Sequence, residues 1–150
     1  MGRFTFKLQN VLGIKEKIEE QKKIELGNAM IYLAKQEEIF SAHKDALNLH
    51  IQTFNEKNGK SVLAKELIEL NGYIKYYKDA IQFQKNIINE AKEMVEMKRE
   101  ALNKALIEKK TYEKLKELAL ENHLLEEQAQ NNKQTDELNS YNQLIKSTTQ

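Results

Sequence analysis

The second half of the chain carries a long, regular repeat of apolar positions, and that repeat leaves few folds open. From Leu67, alternate steps of three and four residues visit Leu67, Leu70, Ile74, Tyr77, Ile81, Gln84, Ile88, Ala91, Val95, Lys98, Leu102, Ala105, Lys109 and Tyr112. Eleven of these 14 positions are hydrophobic, where the overall composition of 40% would give about six. A repeat of 3.5 residues keeps one stripe of a helix turned toward a partner helix, which is the pattern of a coiled coil. A strand would need strict alternation over short runs, and none is present. The chain also has no proline and only five glycines, so little interrupts a helix.

The first half shows the same repeat with more interruptions. Leu26, Met30, Leu33, Glu37, Phe40, Lys44, Leu47, Ile51 and Phe54 give seven apolar places of nine. Nearer the start the stripe reads Phe4, Leu8, Val11, Lys15, Ile18, Lys22 and Leu26, and its two last steps of four predict a stutter that locally unwinds a supercoil. Gly27, beside it, weakens the helix further. Between the halves, Asn58-Gly59 is a turn dipeptide, because glycine takes the left-handed conformation past a helix end without steric cost. Ser61 is placed to cap the helix that follows.

These signals predict an all-α fold, a long antiparallel two-helix coiled coil (a helical hairpin) whose second helix is the longer. The boundaries are about 6–54 for helix 1, about 55–60 for the turn and about 61–135 for helix 2, followed by a frayed tail, all in one domain over 1–150. Folding about the turn pairs residues whose numbers sum to roughly 115. Phe40 then meets Ile74, Leu33 meets Ile81, and Ile18 meets Val95 and Lys98. Helix 2 outruns its partner from about Lys110 onward. The overhang holds Tyr112, Leu115, Leu118, Ala119, Leu120, Leu124, Leu125 and Ala129. This apolar stripe reads either as a partner-binding surface or as one covered by helix 2 bending back or by a second copy of the chain.

Composition excludes several functions. Twenty-four basic and 23 acidic residues give a net charge of +1, without the surplus needed to displace counterions from nucleic acid. Cysteine is absent, so there is neither a disulfide framework nor a thiolate metal site. The longest run without a polar residue, Ala29 to Ala34, is far short of the roughly 20 residues that cross a bilayer, and no secretion signal opens the chain, which points to the cytoplasm. His43 and His50 lie two helical turns apart, too far to share a metal ion, and read as solvent-facing or flanking the seam. No activated nucleophile and no glycine-rich phosphate loop is present, and the many Glu pairs lie on exposed helix. The chain is expected to be no enzyme, with no catalytic residue, cofactor, metal or small-molecule substrate. Tyr73, Tyr76 and Tyr77 leave two readings open: an exposed binding patch, or packing around a seam tyrosine.

The opening Phe4-Thr5-Phe6-Lys7-Leu8-Gln9-Asn10-Val11-Leu12, followed by Glu16, Glu20 and Gln21, resembles the start of the FliJ family of small flagellar export proteins. Lys109-Lys110-Thr111-Tyr112-Glu113-Lys114-Leu115-Lys116-Glu117, then Glu126-Glu127 and Asp136-Glu137-Leu138, are similar to the family's far end. The resemblance spans essentially the whole chain and rests on the order and spacing of charged-helix motifs. It implies a role in flagellar type III protein export, at the inner face of the cell membrane, with the export ATPase, the FlhA-type export gate and export chaperones as partners. Mapped by local pattern, the gate-binding positions are Leu47, Ile51, Tyr73, Tyr77, Ala80 and Gln84, and the ATPase-binding positions are Leu8, Tyr112, Leu115, Leu118 and Leu125. The alternatives are the stalk-type coiled coil of an injectisome and a self-associating structural coiled coil.

Overall fold

The computed structural model describes residues 2–60 and 63–148. Two helices, α1 (Gln9–Lys57) and α2 (Ala64–Thr148), account for most of them, and no strand occurs among the described residues. The chain is a helical hairpin with the second helix longer, as the repeat predicts. It divides into two compact units: Glu20–Asn103, and Met1–Glu19 with Lys104–Gln150.

On α2 the repeat identifies the buried stripe without error. All 14 seam positions from Leu67 to Tyr112 are buried or half-buried, and Ile88, Ala91, Val95 and Ala105 form most of the apolar core. On α1 the seam follows a different phase from the one expected. It runs from Leu12 through Lys15, Glu19, Lys22, Leu26, Ala29, Leu33, Gln36, Phe40, His43, Leu47, His50 and Phe54 to Lys57, all buried or half-buried. Met30, Glu37 and Lys44, expected in the seam, are exposed. There is no stutter: Glu19 occupies the place that keeps the steps of three and four unbroken.

The pairing of the helices also differs from the turn-centred expectation. In the 20–103 unit, Gln36 meets Gln84 where that expectation gives Asp79, and Glu25 meets Lys98 where it gives Glu90. In the other unit Lys15 meets Glu108 where it gives Glu100. The cause lies at the turn. Helix α1 continues past Phe54 to Lys57, and α2 begins at Ala64, so the fold is centred later in the chain. Gly59 does adopt the left-handed conformation, with φ of +83°, and the Lys60 amide bonds back to the Lys57 carbonyl at 3.2 Å. The expected Ser61 cap lies outside the described residues.

Helix α2 continues to Thr148 where composition suggested a frayed end near residue 135. Every residue from 128 to 148 is exposed, so local helix preference rather than packing shapes this stretch. Thr135, Ser147 and Thr148 satisfy their hydroxyls on carbonyls of the preceding turn.

Two expected outcomes follow from the seam. Ile88→Ala should lower stability by about 2 kcal/mol in chemical denaturation followed by circular dichroism, while Ile68→Ala, on the exposed face, should change it by less than about 0.5 kcal/mol. Because the chain lacks cysteine, paired cysteines can test the register. A short thiol crosslinker should join Gln36→Cys to Gln84→Cys and leave Phe40→Cys with Ile74→Cys unjoined.

Candidate protein-binding surfaces

In the 20–103 unit, one heptad position of α1 is polar at every place but Ala29: Lys22, Ala29, Gln36, His43, His50 and Lys57 recur every seven residues. Each polar one meets a partner suited to it. The buried Gln84 amide donates to the Gln36 side-chain oxygen (2.7 Å) and backbone carbonyl (2.9 Å). His43 lies against Tyr77, with ring centroids 5.9 Å apart, and His50 stacks on both Tyr73 (5.2 Å) and Tyr77 (5.4 Å). Tyr76 meets Tyr77 edge-on at 5.1 Å. The histidines are therefore seam residues with aromatic partners, not solvent-facing ones. The seven-residue spacing, in phase with Leu33, Phe40, Leu47 and Phe54, was the signal that could have placed them.

This arrangement sorts the residues mapped to the gate. Gln84 is buried and fully engaged with Gln36. Leu47, Ile51, Tyr77 and Ala80 are half-buried, and Tyr73 is exposed. Tyr73 and Tyr77, with Glu69, Gly72 and Tyr76, line a shallow groove on α2. Tyr77 packs in the seam, while Tyr73 and Tyr76 are exposed.

Charge pairs border the seam. Glu25 takes hydrogen bonds from Lys22 (3.3 Å) and Lys98 (3.4 Å). The bond from Lys22, helped by the charges of both lysines, holds the Glu25 carboxyl below the ordinary glutamate range.

In the second unit the seam is electrostatic as well as apolar. Glu19, 3% exposed, pairs with Lys109 at 3.7 Å, Lys15 pairs with Glu108 at 3.0 Å, and the Lys15 ammonium sits 5.9 Å from the Tyr112 ring centroid. The non-helical segment before α1 adds to the cover. Phe4 packs on His123 at 5.5 Å, and Arg3 to Leu8 line a groove with Ala119, Asn122, His123 and Glu126. Coverage of α2 therefore reaches about Glu126, and the overhang expected from Lys110 starts later.

That shift separates the residues mapped to the ATPase. Tyr112 is half-buried against Lys15, and Leu8 lines the groove of the N-terminal segment. Leu115, Leu118 and Leu125 are exposed. Ile107, Leu118 and Leu125 are spaced by 11 and seven residues, which sets them on one face of α2, with Leu115 at its edge. Among the described residues no group of three or more His, Cys, Asp or Glu could hold a metal ion, and no helix is long and apolar enough to cross a membrane.

A sequence profile described as flagellar FliJ protein matches residues 4–146. The chain belongs to the FliJ family. That makes it a type III export-associated coiled coil, and the half-buried Phe4 and Phe6 and buried Leu12 show what the family-like opening does. They close the hairpin onto α2. No curated protein sequence matches the chain. Among solved structures, the chain is similar to CT670 from Chlamydia trachomatis, described as a YscO homolog, with 21% identity and a TM-score of 0.55, covering 99% of this chain and 100% of that one. At that identity the likeness shows a shared fold.

A titration checks the Glu25 pairing. Its folded pKa lies below the unfolded one, so the stabilisation is present above the ordinary glutamate range and lost as pH falls through the folded value. Glu25→Gln should melt at a lower temperature than the native chain near neutral pH, and the two melting curves should converge in acid.

Proposed function

We propose that this chain binds the hexameric export ATPase of the flagellum, couples it to an FlhA-type export gate and receives export chaperones, working in the cytoplasm at the inner face of the cell membrane. The observation that carries this reading is the match to the FliJ family over residues 4–146, joined to exposed apolar faces that a two-helix seam leaves over. The face bearing Leu115, Leu118 and Leu125 is assigned to the ATPase, with Leu8 and Tyr112 positioning the chain around it. The tyrosine groove, together with Leu47, Ile51 and Ala80, is assigned to the gate. Gln84 serves that surface indirectly, by fixing the helix pair that carries Tyr77 and Ala80. The role is that of a coupler and involves no chemistry of its own.

A second reading places the chain in an injectisome export apparatus. It is favoured by the likeness in fold to a protein described as a YscO homolog.

The test is ATP hydrolysis by the cognate flagellar export ATPase. The native chain should raise the rate, and Leu118→Asp with Leu125→Asp should abolish the increase while leaving the melting temperature unchanged, because both side chains are already exposed. Tyr73→Ala with Tyr76→Ala should keep the stimulation and lose co-sedimentation with the gate's cytoplasmic part. Absence of both stimulation and co-sedimentation for the native chain would reject the flagellar assignment.

A further inference from the structure

Helix α2 carries a second apolar seam beside the one that faces α1. From Tyr73 to Ala101, the residue just before each member of the buried seam is hydrophobic at eight of nine places, with Glu90 the exception. A step of one residue turns a helix by about 100°, so this second stripe looks sideways from the hairpin rather than into it. Ile87 is half-buried, but the other large members are uncovered: Tyr76 is 63% exposed, Phe83 68% and Met97 62%.

Helix α1 adds to the same side. His50 stacks on Tyr73, which fixes the flank of α1 that lies next to the second seam. That flank runs back from His50 by helical steps of four and seven to Ala46, Ile39 and Tyr32, and the last two are also exposed. The opposite side of the helix pair is different in kind: the groove there is lined by Glu37, Lys85, Asn89 and Lys92 around Phe40 and Ile88. One side of this unit is apolar and the other is charged.

The periodicity identifies the shape of what fits. Apolar side chains at 3.5-residue spacing match a helix laid alongside, and a helix with two adjacent seams is built for two helical neighbours. The rim identifies the charge. Beyond the second seam α2 presents Asp79, Glu93 and Glu100, and α1 presents Glu38 and Asp45 against Lys35, all exposed. Two copies of this chain joined face to face here would bring those carboxylates together, whereas basic edges would complement them. We infer that this side of the 20–103 unit receives a third helix from another protein, an amphipathic segment with apolar residues every 3.5 positions and Lys or Arg along its edges. Tyr73, Tyr76 and Ala80 are shared with the surface assigned to the gate. Phe83, Met94 and Met97 are not, so this inference and the export reading fail separately.

A fluorescein-labelled peptide of four heptads, with a Leu and Ile seam and Lys at the flanking positions, serves as the probe in anisotropy titrations of the full chain. Saturable one-to-one binding is expected, weakened at least about tenfold when the peptide's flanks are changed to Glu. Phe83→Ser with Met97→Ser should weaken it at least about tenfold with the melting curve unchanged, and Lys85→Ser with Lys92→Ser, on the charged side, should not. Equal binding by the Phe83→Ser, Met97→Ser chain, or equal affinity for both peptides, would overturn the assignment. So would a concentration-dependent dimer, seen by sedimentation, that the same two substitutions dissolve, since the occupant would then be a second copy.

Discussion

Two helices in contact can each bury only one narrow stripe, and everything else in this protein depends on that limit. Among the described residues the buried apolar set is Leu12, Ile88, Ala91, Val95 and Ala105, a small core for a chain of 150 residues. Two of the five, Ala91 and Ala105, have side chains of a single methyl group and so bury little area each. No third layer exists among the described residues to hide the remaining apolar side chains. Stability therefore resides in the seam, and whatever recognises other molecules can lie outside it. Substitutions on the two sets of residues should have largely separate effects.

A seam of interchangeable apolar residues would allow the helices to slide by a heptad. Polar members prevent this. The Gln84 amide is buried and satisfied only where Gln36 sits, and Glu19 and Lys15 find Lys109 and Glu108 only in the observed register. A slip by seven residues in one direction would place Gln84 against Ala29, Glu19 against Leu102 and Lys15 against Ala101, at about 1–3 kcal/mol for each group deprived of its partner. These residues contribute more to choosing one pairing than to strengthening it. The same logic accounts for His43 and His50. Each fills a seam position where a tyrosine from α2 supplies a ring to stack upon, so a polar residue is tolerated in a half-buried place.

The α2 seam was readable in the sequence because its apolar members are dense enough to fix the phase of the repeat. The phase on α1 was harder to read, since Glu19, Gln36, His43 and His50 occupy its seam while Met30 lies outside it. Hydrophobicity alone follows Ile18 and Met30, and taking Ile18 in place of Glu19 mistakes the unbroken repeat for one with a stutter. The partners that make those polar residues acceptable sit on the other helix, some 27 to 93 positions away in the chain for His50 with Tyr77 and Lys15 with Glu108. Local pattern cannot see them. The register was misread for a smaller reason: a few residues at the turn, where α1 runs on to Lys57 and α2 starts at Ala64, displace all later pairs. That displacement, with the packing of Phe4 on His123, moved the expected overhang. Leu118 and Leu125 were nevertheless legible as exposed, since they lie on a face of α2 that α1 does not reach in either register.

Exposed aromatic and aliphatic side chains on this scale normally invite aggregation. Here the apolar residues are set among charges that make up 31% of the chain, and the carboxylates beyond the second α2 seam lie where a like face would approach. Such a rim acts against wrong partners more than it aids the right one. It repels another copy of the same surface and admits a helix of opposite edge charge. The apolar stripe supplies attraction that many helices could use, and the acidic border narrows the choice. A coiled coil of only two strands can in this way remain in solution with much of its binding surface already formed, so that docking costs little ordering of its own backbone.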